Sequence, residues 1–438
     1  MLITVKKVCL NKVSANYILK WIIFSAIASV TGLSITYLFV YLLDKIYLFT
    51  TQTNSYFILL PFLAPFLCKY LAYYFSPESS EEGVLSYLNS VNDKFGYLPI
   101  KVTFFKFIAA LVTLGTNLSG GIVAPLVRVN SGIASFIGRQ KLIKKFKIDD
   151  DDKRTFVICG ASAIVASVFH APLSSGLFAV EILKRANMKY LDLFPSILAA
   201  CFTTAVAKGL DLTSIFPFQS TTETFPLKNL VWIILIGFFS GYFSILYVNF
   251  YHWVSTVSER KQLNFSSKVL GAIIVIVIAY LFGEGLLGTS LNMFKSLVNG
   301  ELPDLPEYVK GRYFIFIALI ILASLKGITN CLTVGTGYSA GFAGPSVIMG
   351  LMIGAAFGHL LNIPPSSGTY YSFMAAGMSG ILSASMNVPM SAAVMGAEIF
   401  GSNIGFSSTI SSIENRTRRK VDSFHRIQFK SNEISFGP

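Results

Sequence analysis

The sequence predicts an all-α integral membrane protein, an internally duplicated bundle of tilted and broken helices. Three observations predict it: long charge-free apolar runs, apolar segments too short to cross a bilayer, and one motif that occurs twice. Of 438 residues, 53% are hydrophobic and 13% charged, with mean hydropathy +0.62. Soluble domains carry about 25% charged residues. Residues Trp21–Leu43, Asn229–Ser258 and Gly327–Ala397 contain no Asp, Glu, Lys or Arg, and about 20 apolar residues span a bilayer core. Backbone polar groups find no water in lipid, and no ten-residue alternating barrel pattern occurs, so the runs are expected to be helical. Other apolar segments, near 122–138, 173–183 and 389–400, are shorter and interrupted by Gly and Pro. They point to helices that stop partway through the membrane.

The formal net charge is +13. The basic residues form no single patch of the kind that nucleic acid would need. They fall between apolar runs, at Lys6, Lys7 and Lys12, at Arg139–Lys147, at Lys184 and Arg185, and at Arg416–Lys420. That distribution suggests cytoplasmic loops with both termini inside. Asp149–Asp152 lacks the glycine and terminal glutamate of a calcium loop and reads as a solvated stretch. Five cysteines without CxxC spacing argue against disulfides and zinc, and no metal or cofactor is expected. A membrane enzyme would need paired carboxylates, a histidine cluster or a nucleophile with its base inside these runs, and none is there.

The repeat carries most of the information. Gly160–Ile182 reads GASAIVASVFHAPLSSGLFAVEI and Gly377–Ile399 reads GMSGILSASMNVPMSAAVMGAEI. Gly160 and Pro172 are as far apart as Gly377 and Pro389; Pro172 and Glu181 match Pro389 and Glu398, with Ser174 and Ser391 in register. Upstream of each copy stands a glycine-rich break ending in proline, SGGIVAP (119–125) and AGFAGP (340–345). The expected organisation is a cytoplasmic segment at 1–20, a first repeat at 21–210, a second at 211–400, and a polar, cytoplasmic tail at 401–438. The letters leave open whether the repeats run parallel or inverted.

Such a break has a physical consequence. Glycine lets the chain leave helical geometry, and proline suits the first helical turn, where its missing N–H costs nothing. The remaining first-turn N–H groups point beyond the helix end and, with the helix dipole, attract an anion without a full positive charge. Weak holding suits conduction. Close helix packing through glycine explains the same letters equally well.

Four segments together resemble the CLC chloride channel and chloride–proton antiporter family. GTGYSAGFAGPSVIMGLMIGAAFG, Gly335–Gly358, is similar to its GSGxxGGxFAP segment. VTLGTNLSGGIVAP, starting at Val112, is similar to its stretch with GREGP. HAPLSSGLFAVEI and NVPMSAAVMGAEI resemble its two APL…E helices. The similarity covers roughly residues 20–400. It implies an inverted-repeat fold and a homodimer in the lipid bilayer, with one chloride pathway per subunit lined by helix N-termini. The anion-binding candidates are then the main chain of Ile122, Val123, Ala124, Phe342, Ala343 and Gly344, with Ser79 as a hydroxyl donor.

The departures bear on mechanism. The gating glutamate of GREGP falls on Val123, and the inner proton-transfer glutamate falls on Ile182. Neither side chain titrates. The expectation is passive, uncoupled chloride flux, the alternatives being proton-coupled chloride or fluoride exchange and a non-conducting relative. Glu181 and Glu398, symmetric in the repeats, are expected to cap or pair with backbone. Arg128 is expected to attract anions, to snorkel, or to pair with Glu181, and His170 to be a hydrogen-bonded core residue. The family's last two helices, one with a tyrosine, look lost or rewritten after residue 400. The compartment expected is the plasma membrane.

Overall fold

The apolar runs are helices. The computed structural model describes residues 2–53, 57–74, 83–140, 148–183, 189–216, 229–260, 264–299, 301, 311–365 and 367–418. Eight α-helices lie in the first half: α1 Leu2–Thr53, α2 Ala64–Tyr74, α3 Val84–Asp93, α4 Ile100–Gly115, α5 Val123–Ile137, α6 Asp150–Phe169, α7 Pro172–Glu181 and α8 Leu193–Gly209. Eight lie in the second: α9 Leu230–Arg260, α10 Asn264–Phe282, α11 Leu291–Val298, α12 Arg312–Gly335, α13 Ala343–Leu360, α14 Gly368–Met386, α15 Pro389–Phe400 and α16 Gly405–Arg418. Among the described residues six helices are long and apolar enough to cross a membrane, the first over Tyr17–Phe49. At 1.5 Å per residue that segment is about 50 Å long, well beyond a bilayer core of about 30 Å, long enough to span it even when tilted. Helices α5, α7 and α15, of 15, 10 and 12 residues, cannot cross.

The two copies of the repeat fold alike. Helices α6 and α14 each end at a residue in the left-handed region, His170 (φ 53°) and Asn387 (φ 59°), and a proline then opens α7 and α15. The copies run in opposite senses: Gly121 and Gly341 pair as an antiparallel bridge, and α7 lies against α15 with each helix's last turn at the other's first. This is the inverted arrangement.

Small residues let the interior helices touch backbone to backbone. Gly350 and Gly354 on α13 face Gly377 on α14; a Cβ at Gly377 would overlap the Gly350 carbonyl oxygen and stand 3.0 Å from the Gly354 nitrogen. Gly377→Ala is therefore expected to destabilise the protein by about 1–3 kcal/mol through overpacking. Gly209→Ala, with nothing within 4 Å of the added carbon, should change stability by less than about 1 kcal/mol. Thermal unfolding of the two variants in detergent checks the contrast.

The expectation of a polar tail from residue 401 needs correction over its first part. Gly405–Arg418 is a helix, and it packs on α14 and α15 as α8 packs on α6 and α7. Its serines Ser407, Ser408, Ser411 and Ser412 are buried. Ser411 Oγ donates to the Ala376 carbonyl (2.8 Å), and the Ser412 carbonyl accepts from Ser383 Oγ (3.0 Å). A serine face satisfies its hydroxyls on neighbouring backbone and allows close approach, so polar letters form an interior helix. Residues 419–438 lie outside the described residues.

Candidate functional site: the junction of the two helix breaks

The two glycine-rich breaks, far apart in sequence, meet. The Gly121 N–H donates to the Gly341 carbonyl (3.0 Å), and the Gly341 N–H donates to the Gly121 carbonyl (2.9 Å). Only glycine permits the approach: a Cβ on Gly341 would lie 2.6 Å from Ala124 Cβ, and one on Gly121 would lie 3.0 Å from the Gly344 nitrogen. Immediately past the bridge the chain enters α5 on one side and α13 on the other, so the two first turns lie side by side.

Those turns carry donors without acceptors. Intrahelical or near-helical bonds begin with Leu126 N–H to Ile122 O (3.2 Å) and Ser346 N–H to Phe342 O (2.9 Å). Among the described residues no acceptor takes the N–H of Ile122, Val123, Ala124, Phe342, Ala343 or Gly344. All six residues are buried. Buried main-chain N–H groups are nearly always paired, and six together, at two helix N-termini, form a concentrated patch of positive partial charge. A third helix start joins them, for a Cβ on Gly83, the residue before α3, would lie 2.8 Å from the Ala124 carbonyl oxygen. Ser79 lies outside the described residues.

Around the junction the walls are aromatic and apolar. Phe216 approaches Gly344, stacks on Phe169 with ring centroids 5.3 Å apart, and meets Phe294 edge-on. Phe342 lies edge-on to Tyr247 and Tyr251. The Val123 side chain is 2% exposed. A cavity of about 810 Å³ reaches Ile122 and is lined also by Asn117, Leu287 and Gly288. Its charged lining residues, Asp44, Glu284 and Lys295, are exposed.

The symmetric glutamates are caps. The Glu181 carboxylate accepts from the N–H groups of Met390 (2.8 Å) and Ser391 (2.7 Å), and the Glu398 carboxylate from those of Leu173 and Ser174 (2.8 Å each). Each repeat thus supplies the anion for the other repeat's helix start. Ile182 is the buried residue that follows α7. Arg128 does not snorkel; it is 1% exposed and donates to Thr103 Oγ1 at 2.9 Å. His170 Nε2 lies 3.3 Å from the Tyr37 hydroxyl.

Residues 64–410 match the family model described as voltage gated chloride channel. The chain belongs to this CLC family. Among curated relatives, an uncharacterised protein of Methanocaldococcus jannaschii is 25% identical, the match covering 80% of this chain and 82% of that one. A chloride/fluoride channel protein of Pseudomonas syringae is 23% identical over 91% of this chain and 83% of its own. The crystal structure of a slow cyanobacterial Cl⁻/H⁺ antiporter superposes with a TM-score of 0.77 at 18% identity, over 96% of this chain and 98% of that one. The CLC chain is thus a multi-pass membrane protein of an anion-transporting family. Two buried lysines were passed over in its sequence, Lys106 on α4 and Lys326; the second is the more deeply buried. It stands at the edge of a charge-free run and is fully buried within α12.

Proposed function

We propose that this CLC protein moves chloride, or a related small anion, passively across the membrane without proton coupling. The observation that carries the reading is the set of six buried amides on Ile122–Ala124 and Phe342–Gly344 that find no acceptor among the described residues. Main-chain dipoles can replace part of an anion's hydration shell and still release it. Val123 stands at the helix start where the family resemblance puts a gating glutamate, and Ile182 stands at the inner proton position. Exchange of a proton for an anion needs a titrating group at these points, and valine and isoleucine offer none. Ser79 is proposed as a further donor from the chain just before Gly83. Half-exposed Leu173, Phe194, Met390 and Ile413, on α7, α8, α15 and α16, support a homodimer through that face. The basic segments support cytoplasmic termini.

The test is chloride efflux from proteoliposomes with simultaneous recording of external pH. Wild type is expected to release chloride with no accompanying proton movement. Val123→Glu should slow efflux about tenfold, the effect of ~1.4 kcal/mol of competition by a carboxylate at the site. Proton uptake in step with wild-type chloride efflux would overturn the uncoupled reading in favour of exchange, as in the cyanobacterial Cl⁻/H⁺ antiporter. Absence of flux from folded protein would mark a non-conducting relative. Parallel fluoride flux decides which anion is preferred.

A further inference from the structure

The eight-residue helix α11 opens with uncapped amides. A serine before a helix ordinarily accepts from one of the first N–H groups. Ser290 does not: it sits in the left-handed region (φ 54°), and its hydroxyl donates backward to the Gly285 carbonyl at 2.6 Å. The helical bonding begins with the Phe294 N–H, which donates to the Ser290 carbonyl (3.0 Å). Among the described residues no acceptor takes the N–H of Leu291, Asn292 or Met293. The first turn therefore keeps its donors and the positive end of the helix dipole.

Those donors border the cavity that reaches Ile122, and a second, independent donor borders it from the other half of the chain. Leu291, Asn292 and Met293 line the cavity, and so does Asn117. Asn117 is 6% exposed, and its Nδ2 has no hydrogen-bond partner among the described residues. Its main chain is fixed at φ 63°, a conformation that asparagine tolerates. The Asn117 N–H donates to the Leu114 carbonyl and its carbonyl accepts from the Gly288 N–H, at 3.0 Å each. Gly288 precedes Leu291 by three residues, so their Cα atoms are at most about 11.4 Å apart. A buried polar group without a partner is rare in a folded protein, and beside a cavity it points to a ligand.

We propose that this cavity holds a second small anion, between the first turn of α11 and the Asn117 carboxamide, at a site separate from the junction. The donors are N–H groups, which accept no cation. The charged side chains lining the cavity are Lys295, Asp44 and Glu284, all exposed. Two carboxylates against one ammonium disfavour a doubly charged anion, so the ligand class is a monovalent, halide-sized ion. Neutral donors hold such an ion loosely enough to let it leave. Ile122 lines the same cavity, so the ion stands beside the start of α5. Its place on a transport route rests on the passive-flux reading; its occupancy does not.

The experiment uses bromide as the probe, by anomalous diffraction from crystals of the full-length protein and by isothermal titration in detergent. Wild type is expected to show a bromide peak between Asn117 and the first turn of α11, apart from any peak at the junction. Asn117→Gly keeps the left-handed backbone and removes the donor. It should erase the cavity peak and weaken binding at that site about 10- to 100-fold, the worth of a hydrogen bond to a charged group. Asn292→Asp puts a carboxylate in the first turn of α11, which the helix dipole favours. It should also erase the cavity peak, with the thermal midpoint unchanged or raised, so lost binding is not lost folding. A wild-type cavity without bromide, or a cavity peak that persists in both variants, overturns the proposal. A cavity peak with none at the junction would leave this site standing and count against anion passage where the breaks meet.

Discussion

Gly341→Ala is expected to reduce chloride flux by about 10- to 100-fold, and Ala124→Gly in the same chain is expected to restore most of it. The added Cβ would lie 2.6 Å from Ala124 Cβ, 3.1 Å from the Ala124 nitrogen and 3.2 Å from the Gly121 carbonyl oxygen. The first contact cannot be accommodated without moving one break away from the other. That movement lengthens the Gly121–Gly341 hydrogen bonds and withdraws one first turn from the other. A hydrogen bond to a charged group is worth about 1.5–3 kcal/mol, which converts to about 10- to 100-fold in affinity. Removing the Ala124 methyl relieves the 2.6 Å contact, so the pair should be strongly non-additive. Rescue separates a damaged junction from a misfolded protein. Flux at the wild-type level in Gly341→Ala would mean that anions do not pass where the breaks meet.

How much of this was legible in the letters depends on which residues carried it. Glycine and proline have fixed backbone meanings, so SGGIVAP and AGFAGP announced two helix starts at Pro125 and Pro345 with first-turn amides in front of them. Their meeting was less legible. A bridge between Gly121 and Gly341 joins positions in different halves, and single-sequence patterns carry no pairing information; the duplication and the family resemblance supplied the hint. The equal spacing from Pro172 to Glu181 and from Pro389 to Glu398 meant more than symmetry. Antiparallel helices of equal reach put each glutamate at the other's first turn, but only the structure names the amides of Leu173, Ser174, Met390 and Ser391 as the partners. Two elements were hidden for opposite reasons. Helix α16 buries serines, and Ser407, Ser411 and Ser412 satisfy their hydroxyls on backbone carbonyls, so hydropathy discounts it. Lys326 is a single charge beside a long apolar run, and the letters do not say that packing places it inside.

The reciprocal caps give the other large effect. Glu398→Ala is expected to destabilise the protein by about 3 kcal/mol, and Glu181→Ala by a similar amount. Each carboxylate accepts two main-chain N–H bonds of 2.7–2.8 Å at a proline-started helix, and charge-assisted bonds contribute about 1.5–3 kcal/mol apiece. Both glutamates are partly exposed, which places the pair of bonds toward the lower end of that range. Glutamine keeps one strong acceptor oxygen, so Glu398→Gln should lose about half as much. The two carboxylates sit at opposite ends of the α7–α15 pair, far enough apart for their losses to add. The double alanine variant should therefore be close to the sum, by thermal unfolding in detergent. Because the freed amides of Leu173 and Met390 belong to residues that are 47% and 57% exposed on the face proposed for dimerisation, light scattering should also show the double variant shifting toward monomer. Losses that differ widely between the two single variants would contradict the equivalence of the caps, since each carboxylate accepts two main-chain N–H groups at 2.7–2.8 Å at the other repeat's helix start.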